Sequence, residues 1–323
     1  MKKLYPIKFK PIPQYRIWGG NKLNSILPKD AQIENLGEIW SLSGVSENIS
    51  LIANGELSGK NLNEIIEIYR EKLLGKRIWE KFGKNFPLLI KFIDAAEPLS
   101  VQVHPNDKQA KRLHNSFGKS EMWYIMEAEK NAELIIGFQE GIKKENYSKH
   151  LNSNSLEKIL NKVSVTKGDA VYIPAGRVHA IGAGIVLAEI QQTSDVTYRI
   201  YDYNRIDKDG NKRELHTDLA LQTIDFNPIK KIKTPYDSTE NQFNDLIQSP
   251  YFDTKIFKGD RKIQIEENDE MRIYICTEGK IQFQTEGNST ELDQYESLLM
   301  PAEINSFQII PQENSTLIEV RVP

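Results

Sequence analysis

The chain has 323 residues, 39% hydrophobic and 27% charged, with a formal net charge of −3. That is an ordinary globular composition, long enough for two domains, and the charge argues against nonspecific nucleic-acid binding. No apolar run approaches a membrane span, the basic N-terminus lacks the apolar stretch of a signal peptide, and the single cysteine, Cys276, allows no internal disulfide. A reducing compartment, the cytoplasm, is expected, with Cys276 a small buried hydrophobe in a strand.

Residues 1–20 read as extended, because Pro6, Pro11 and Pro13 exclude a helix. Trp18, before Gly19 and Gly20, reads as a packing anchor or as part of a pocket wall. Residues 37–43 alternate apolar and polar and predict a strand containing Glu38, and residues 46–54 predict another. From 61 to about 84 the apolar residues Leu62, Ile65, Ile66, Tyr69, Leu73 and Leu74 recur at helical spacing, and Gly75 separates a second helix around 78–82. Residues 87–94 form a buried-type strand carrying one lysine, Lys91, which either reaches the edge or serves a pocket. Residues 99–105 alternate strictly, so Ser100, Gln102 and His104 share one face. Residues 108–117 read as a loop or short helix. The next strand, 118–126, has Glu121 at its entrance, and 132–138 gives another. A helical insertion begins at Gly141, with Ser153 or Ser155 available as caps.

The stretch 167–183, KGDAVYIPAGRVHAIGA, organises the chain. A turn leads into an apolar strand, Pro174-Ala175-Gly176 breaks it, and His179 follows the corner, aimed by rigid backbone as a metal ligand must be. The plainer alternative is a surface histidine after a β-corner. Residues 185–191 continue as strand. Residues 194–203 are β-prone and place Asp195, Thr197 and Arg199 on one face if the strand is regular. Residues 216–224 predict a helix, and 227–244 read as a linker. Residues 248–323 are short strands and turns. They echo the first part: Glu270-Met271 resembles Glu121-Met122, and Met300-Pro301-Ala302 resembles Ile173-Pro174-Ala175, with Ser306 at the offset of His179.

His104, His179, Glu121 and Gln102 form a nitrogen and oxygen donor set without thiolate. Zn²⁺ suits it, and Mn²⁺, Fe²⁺, Co²⁺ and Ni²⁺ accept the same donors. So few protein ligands leave room for water or substrate, which favours a catalytic over a structural site. The other histidines, His114, His150 and His216, lie in polar or helical segments and read as solvated.

The spacing from Gly168 through Pro174 and Gly176 to His179 matches the second signature of the cupin superfamily. With LLIKFIDAAEPLSVQVHPND, GKSEMWYI and EIQQTSDVTYRIYDYNR, the chain resembles the type I mannose-6-phosphate isomerase (phosphomannose isomerase) family in its short bacterial form. The resemblance runs strongly over about 10–220 and weakly over the last 75 residues. It implies a mainly β fold of two cupin-type jelly-roll barrels with a small helical insertion in the N-terminal part. A metal-binding domain would span 1–235 and a degenerate barrel without metal 246–323. It further implies one Zn²⁺ per chain on His104, Glu121 and His179, with Gln102 as fourth ligand. Arg199 becomes the active-site arginine, with Asp195 four before it and Lys119 two before the metal carboxylate, and Trp18, Glu38 and Lys91 line the pocket. The implied reaction interconverts mannose 6-phosphate and fructose 6-phosphate through a cis-enediol, in a monomer or weak dimer with no nucleic-acid or membrane partner.

Three departures stand out. Gly118-Lys119-Ser120-Glu121 replaces the common His-Lys-Pro-Glu, Val196 replaces the Asn of Ser-Asp-Asn, and Gln102 stands where generic cupins carry histidine. Lys119 and Asp195 compete as proton-transfer base, and Arg199 suits either phosphate or enediolate. A non-catalytic sugar-phosphate-binding cupin and a cupin oxygenase or epimerase are the other readings. Lys119, Asp195 and Arg199 beside the ligands favour the isomerase.

Overall fold

Period-two alternation dominates the chain, and strands follow it. The computed structural model describes every residue except Met1, Lys208 and Lys230. The fold is mainly β, as expected, and its strands form four sheets of four to six strands.

The chain divides into two compact units. One comprises Gln14–Glu38 and Ile93–Thr234; the other comprises Met1–Pro13, Ile39–Phe92 and Pro235–Pro323. The two consecutive blocks expected from sequence, 1–235 and 246–323, differ from this division at residues 1–13 and 39–92. Backbone pairing gives the reason. Ile7 and Lys8 pair with Leu299 and Leu298, and the amides of Met271, Ala302 and Glu303 donate to the carbonyls of Leu74, Leu73 and Lys72.

In the unit containing 93–234, a five-stranded sheet has the order Tyr198–Tyr201, Val101–Val103, His179–Ile181, Glu133–Phe138, Leu160–Ser164. Opposite it lies a second layer that includes Ile185–Gln192, Glu121–Ala128 and Ala170–Ile173, hydrogen-bonded in that order. Trp18, Trp123, Ile125, Leu134, Ile136, Ile173 and Leu187 fill the space between the layers. The outer face of the five-stranded sheet presents Val101, Val103, Ala180, Tyr198 and Ile200. Tyr147 of the helix Lys144–Asn152 and Ala220 of the helix Thr217–Thr223 cover that face.

The other unit repeats the two-layer plan, with Phe257, Tyr274, Phe283, Leu298, Phe307 and Ile309 between a six-stranded and a four-stranded sheet. Cys276 is buried in its strand, and burial pushes its thiol up to about 12, so it is an inert core residue. The sequence echo is out of register by two. Glu121 pairs with Ile173, whereas Met300 pairs with Arg272, so the position matching Glu121 holds an arginine.

The helical segment starts with a capping box in which the Asn61 side chain accepts from Glu64 N–H and Glu64 accepts from Asn61 N–H. It breaks twice, at Arg70 (φ 49°) and Gly75 (φ 86°), giving helices Leu62–Tyr69, Glu71–Leu74 and Lys76–Phe82. Other boundaries also shift. Residues 46–54 form no strand, only isolated bridges at Leu51 and Ile52. The run 99–105 narrows to Val101–Val103, and 108–117 becomes the capped helix Asp107–His114. The linker reading of 227–244 ends early, because Phe243–Gln248 is a strand paired with Asp253–Gly259; Lys230 lies outside the described residues.

Candidate metal centre

Three strands deliver three donors to one point. His104 leaves the strand Val101–Val103 at Pro105, Glu121 opens the strand Glu121–Ala128, and His179 opens the strand after the Pro174-Ala175-Gly176 corner. Gly176 has a φ of 86°, a left-handed conformation that favours glycine, and its N–H donates to the His104 carbonyl at 2.8 Å. The corner thus ties one histidine's segment to the other.

The ligand atoms of His104, Glu121 and His179 all lie within 4.8 Å of one another, and the three residues are at most 1% exposed. His104 Nε2 is 3.2 Å from Glu121 Oε1, and His179 Nε2 is 3.7 Å from Glu121 Oε2. Each imidazole donates its Nδ1–H to a backbone carbonyl, His104 to Val196 at 2.9 Å and His179 to Arg177 at 2.8 Å. A carbonyl only accepts, so both rings carry their proton on Nδ1 and turn an Nε2 lone pair to the shared point. The Trp123 ring meets His179 edge-on at 5.4 Å and walls the site.

Electrostatics favour a cation. Burial, reinforced by the Lys119 ammonium, lowers His104 to about 3, and burial also lowers His179. Burial alone would raise Glu121, but Lys119, His104 and His179 together hold it well below the usual carboxylate range. At neutral pH the set is two neutral imidazoles and one carboxylate. Lys119 joins it directly, with Nζ 3.1 Å from His104 Nε2 and hydrogen-bonded to Glu121 Oε1. Glu121 Oε2 and His179 Nε2 are buried and have no hydrogen-bond partner. Two orphaned acceptors facing each other, with imidazole and carboxylate chemistry, fit a divalent cation.

Gln102 sits directly between two site residues: it pairs with His179 on one side and Arg199 on the other. Residues opposite each other in antiparallel strands project to the same face, so Arg199, Gln102 and His179 form one row. Arg199 donates from Nη1 to the Glu214 carbonyl at 2.9 Å. Asp195 does not join the row. The expected strand 194–203 contracts to Tyr198–Tyr201, leaving Asp195 exposed on a loop. Trp18 is buried in the core cluster with Trp123, an anchor. Glu38 is buried, with both oxygens bound by Arg16 at 3.1 and 3.0 Å. Lys91 belongs to the other unit, buried with Nζ 5.2 Å from the centre of the Trp40 ring. Among the remaining histidines, His114 is exposed and bonded to the Tyr198 hydroxyl, His150 binds Ser155, and His216 Nδ1 accepts from Arg199 N–H.

Sequence reasoning missed the residues that hold this set together. The buried Gln192 side chain accepts from Ser120 N–H at 3.0 Å and donates to Asp107 Oδ1 at 2.9 Å. That same oxygen accepts Gly118 N–H at 2.8 Å. Gln191 donates to the carbonyls of Gln192 and Ser194, shaping the loop that offers the Val196 carbonyl to His104. Gln191-Gln192 stood in the sequence only as a pair of polar residues ending an apolar strand, a pattern that does not mark either amide as a bridge. The clamp also accounts for Gly118, where the family commonly has histidine: a Cβ there would sit 2.6 Å from Asp107 N.

The sequence model of the phosphomannose isomerase type I catalytic domain matches residues 7–155. The mannose-6-phosphate isomerase ManA of Bacillus subtilis is 38% identical over 256 residues, 78% of this chain and 77% of its own. The chain belongs to the type I phosphomannose isomerase family. A mannose-6-phosphate isomerase of Streptococcus mutans is 35% identical over 238 residues, 73% of each chain. The crystal structure of the B. subtilis mannose 6-phosphate isomerase superposes with a TM-score of 0.88 at 31% identity, covering 98% of this chain and 99% of that one. The phosphomannose isomerase fold and the enzyme class expected from sequence are thus both present.

Proposed function

We propose that the protein interconverts mannose 6-phosphate and fructose 6-phosphate through a cis-enediol, with one divalent cation, Zn²⁺ by its donor set, held by His104, Glu121 and His179. Gln102 is the fourth ligand in this reading, from its place between His179 and Arg199. The observation that carries the reading is the buried donor set with Lys119 Nζ touching two of its three members. When bound, the cation supplies Lewis-acid stabilisation of negative charge on the reacting sugar oxygens.

Lys119 is the base in this mechanism. It acts from its neutral amine form, which burial and a cation held beside it would favour: it takes the C2 proton of the open-chain aldose to give the cis-enediolate and, once the hydroxyl proton has passed from O2 to O1, returns that proton to C1 to give the ketose. Its neighbours suit the task, because His104 and Glu121 fix Nζ in a buried, water-poor site. Asp195, exposed on its loop, is left to sugar-ring opening. Trp18 and Glu38 support the pocket wall from within the core. The cytoplasm is the natural compartment for a chain with one buried thiol and a sugar-phosphate substrate, and a monomer or weak dimer suffices for the chemistry. Among the described residues no helix is long and apolar enough to cross a membrane.

A coupled assay tests this directly. Fructose 6-phosphate formed from mannose 6-phosphate should vanish after chelation and return with Zn²⁺, and His104→Ala or His179→Ala should lose metal and turnover together. Turnover persisting after verified metal removal would refute the metal's part in the mechanism.

A further inference from the structure

A cavity of about 1010 Å³ lies in the unit that carries the metal centre. That is the upper end of the range for small-molecule sites, roughly 300–1,000 Å³. Its walls come from the end of the strand Glu133–Phe138 and the loop after it, from Asn161 on the neighbouring strand, from Arg177, and from the segment 225–232. None of its lining residues belongs to the set of His104, Glu121 and His179, and Lys119, Gln102 and Arg199 are also outside it.

One wall is aromatic. Phe138 and Phe226 line the cavity partly buried, with their rings parallel to within 11° and the centroids 5.5 Å apart. Tyr147, fully buried and no part of the lining, meets the two rings edge-on at 5.8 and 5.9 Å. The pair is thereby backed as a rigid platform. The negative face of an aromatic ring attracts polarised C–H groups, which the flat side of a pyranose ring presents.

The polar wall is balanced in charge and open in hydrogen bonding. Arg177 and Lys143 supply two positive charges, Glu140 and Asp225 two negative ones. An anion would meet both carboxylates and a cation both bases, so the lining selects a neutral ligand. Arg177 is held in place: its side chain is 11% exposed, and it donates from Nη1 to the Asn227 carbonyl at 2.8 Å and from Nη2 to Asp225 Oδ2 at 3.4 Å. Its Nε has no partner among the described residues. Asn161 and Gln139 donate to the Ile136 and Leu160 carbonyls, at 3.2 and 3.4 Å, and keep their side-chain oxygens as acceptors. Adjacent hydroxyls of a sugar donate and accept together, which matches a guanidinium donor beside amide acceptors.

We propose that this cavity binds a neutral saccharide of two or more rings, with its C–H face on Phe138 and Phe226 and its hydroxyls on Arg177, Asn161 and Gln139. The site goes beyond the isomerase reading and does not rest on it, since it needs neither the cation nor a phosphate.

Saturation-transfer NMR and calorimetry on the full-length protein test the site, with the disaccharides mannobiose, cellobiose and maltose as probes. At least one should bind in the millimolar range or tighter, equally with and without Zn²⁺, and mannose 6-phosphate should not displace it. Phe226→Ala should weaken that binding about tenfold. Asn161→Leu should weaken it about threefold to tenfold, and it serves if Phe226→Ala fails to fold. Absence of binding by all three probes would overturn the proposal. So would displacement by mannose 6-phosphate, or an affinity unchanged in the folded variants.

Discussion

Each unit of the molecule buries a carboxylate at 1% exposure among its strands, Glu121 in one and Glu319 in the other. Glu319 is fully satisfied from within. Its Oε2 accepts from Tyr274 OH at 2.7 Å and Arg272 Nη1 at 3.3 Å, and its Oε1 from Arg321 Nε at 2.7 Å. Glu121 has Lys119 and His104 on Oε1 and leaves Oε2 without a partner. Arg272, whose pairing with Met300 matches that of Glu121 with Ile173, is the built-in cation of its unit. A buried carboxylate answered by an arginine is a structural lock. One answered by two imidazole lone pairs and an ammonium keeps capacity for a further cation.

The largest break in this contrast should come from Glu121→Gln. It preserves shape and removes the charge that faces the imidazoles. Metal content should fall, and turnover by about a thousandfold, the equivalent of several kcal/mol of Lewis-acid stabilisation; metal analysis alongside the coupled assay checks both. Acid should strike the same unit next. His104 is near 3 in the fold against 6.5 in its absence, so the unfolded chain binds more protons between those values, and stability is lost as pH falls from 6.5 towards 3. The depressed Glu121 acts in the same direction, so stability present above its ordinary range is lost as pH falls. Denaturant melts of the metal-free protein across that window should show the loss, and a flat profile would contradict these electrostatics.

Glu319→Gln should act on stability alone. It leaves Arg272 buried beside a neutral partner, which costs about 3 kcal/mol, while metal content per folded molecule is unchanged. Metal loss in this variant would dissolve the distinction drawn above. The smallest change is expected for Gln192→Leu, which cuts the tie between Asp107 and Ser120. Metal affinity should weaken about tenfold to a hundredfold, with an altered visible spectrum of the Co²⁺-substituted protein. Wild-type affinity and spectrum would reduce Gln192 to a loop residue.

What the sequence disclosed follows from how local each signal is. His179 was legible because Pro174, Gly176 and the apolar run before them announce a rigid corner within one short segment. Glu121 and His104 were legible by alternation and by family resemblance. The capped helix after Asn61 was visible for the same reason, as Glu64 lies three residues on. Gln192 was not legible, because its partners Asp107 and Ser120 are remote in sequence and no local pattern marks an amide as a bridge. The grouping of residues 39–92 with the C-terminal strands was hidden for the same reason, since backbone bonds between residues about two hundred apart, such as the Met271 amide on the Leu74 carbonyl, leave no local pattern. Asp195 was misplaced onto a strand because β-prone composition continued through 194–197, while the Gln191 amide holds the Ser194 carbonyl and shapes a loop there.

The bond from His104 Nδ1 to the Val196 carbonyl has a consequence for biosynthesis. One donor's orientation depends on a residue synthesised 92 positions later. A nascent chain that has exposed His104, Glu121 and His179 already contains every expected ligand side chain, yet its first histidine has no carbonyl to fix the ring. A donor set in this geometry therefore reports completion of a long-range fold rather than emergence of a motif.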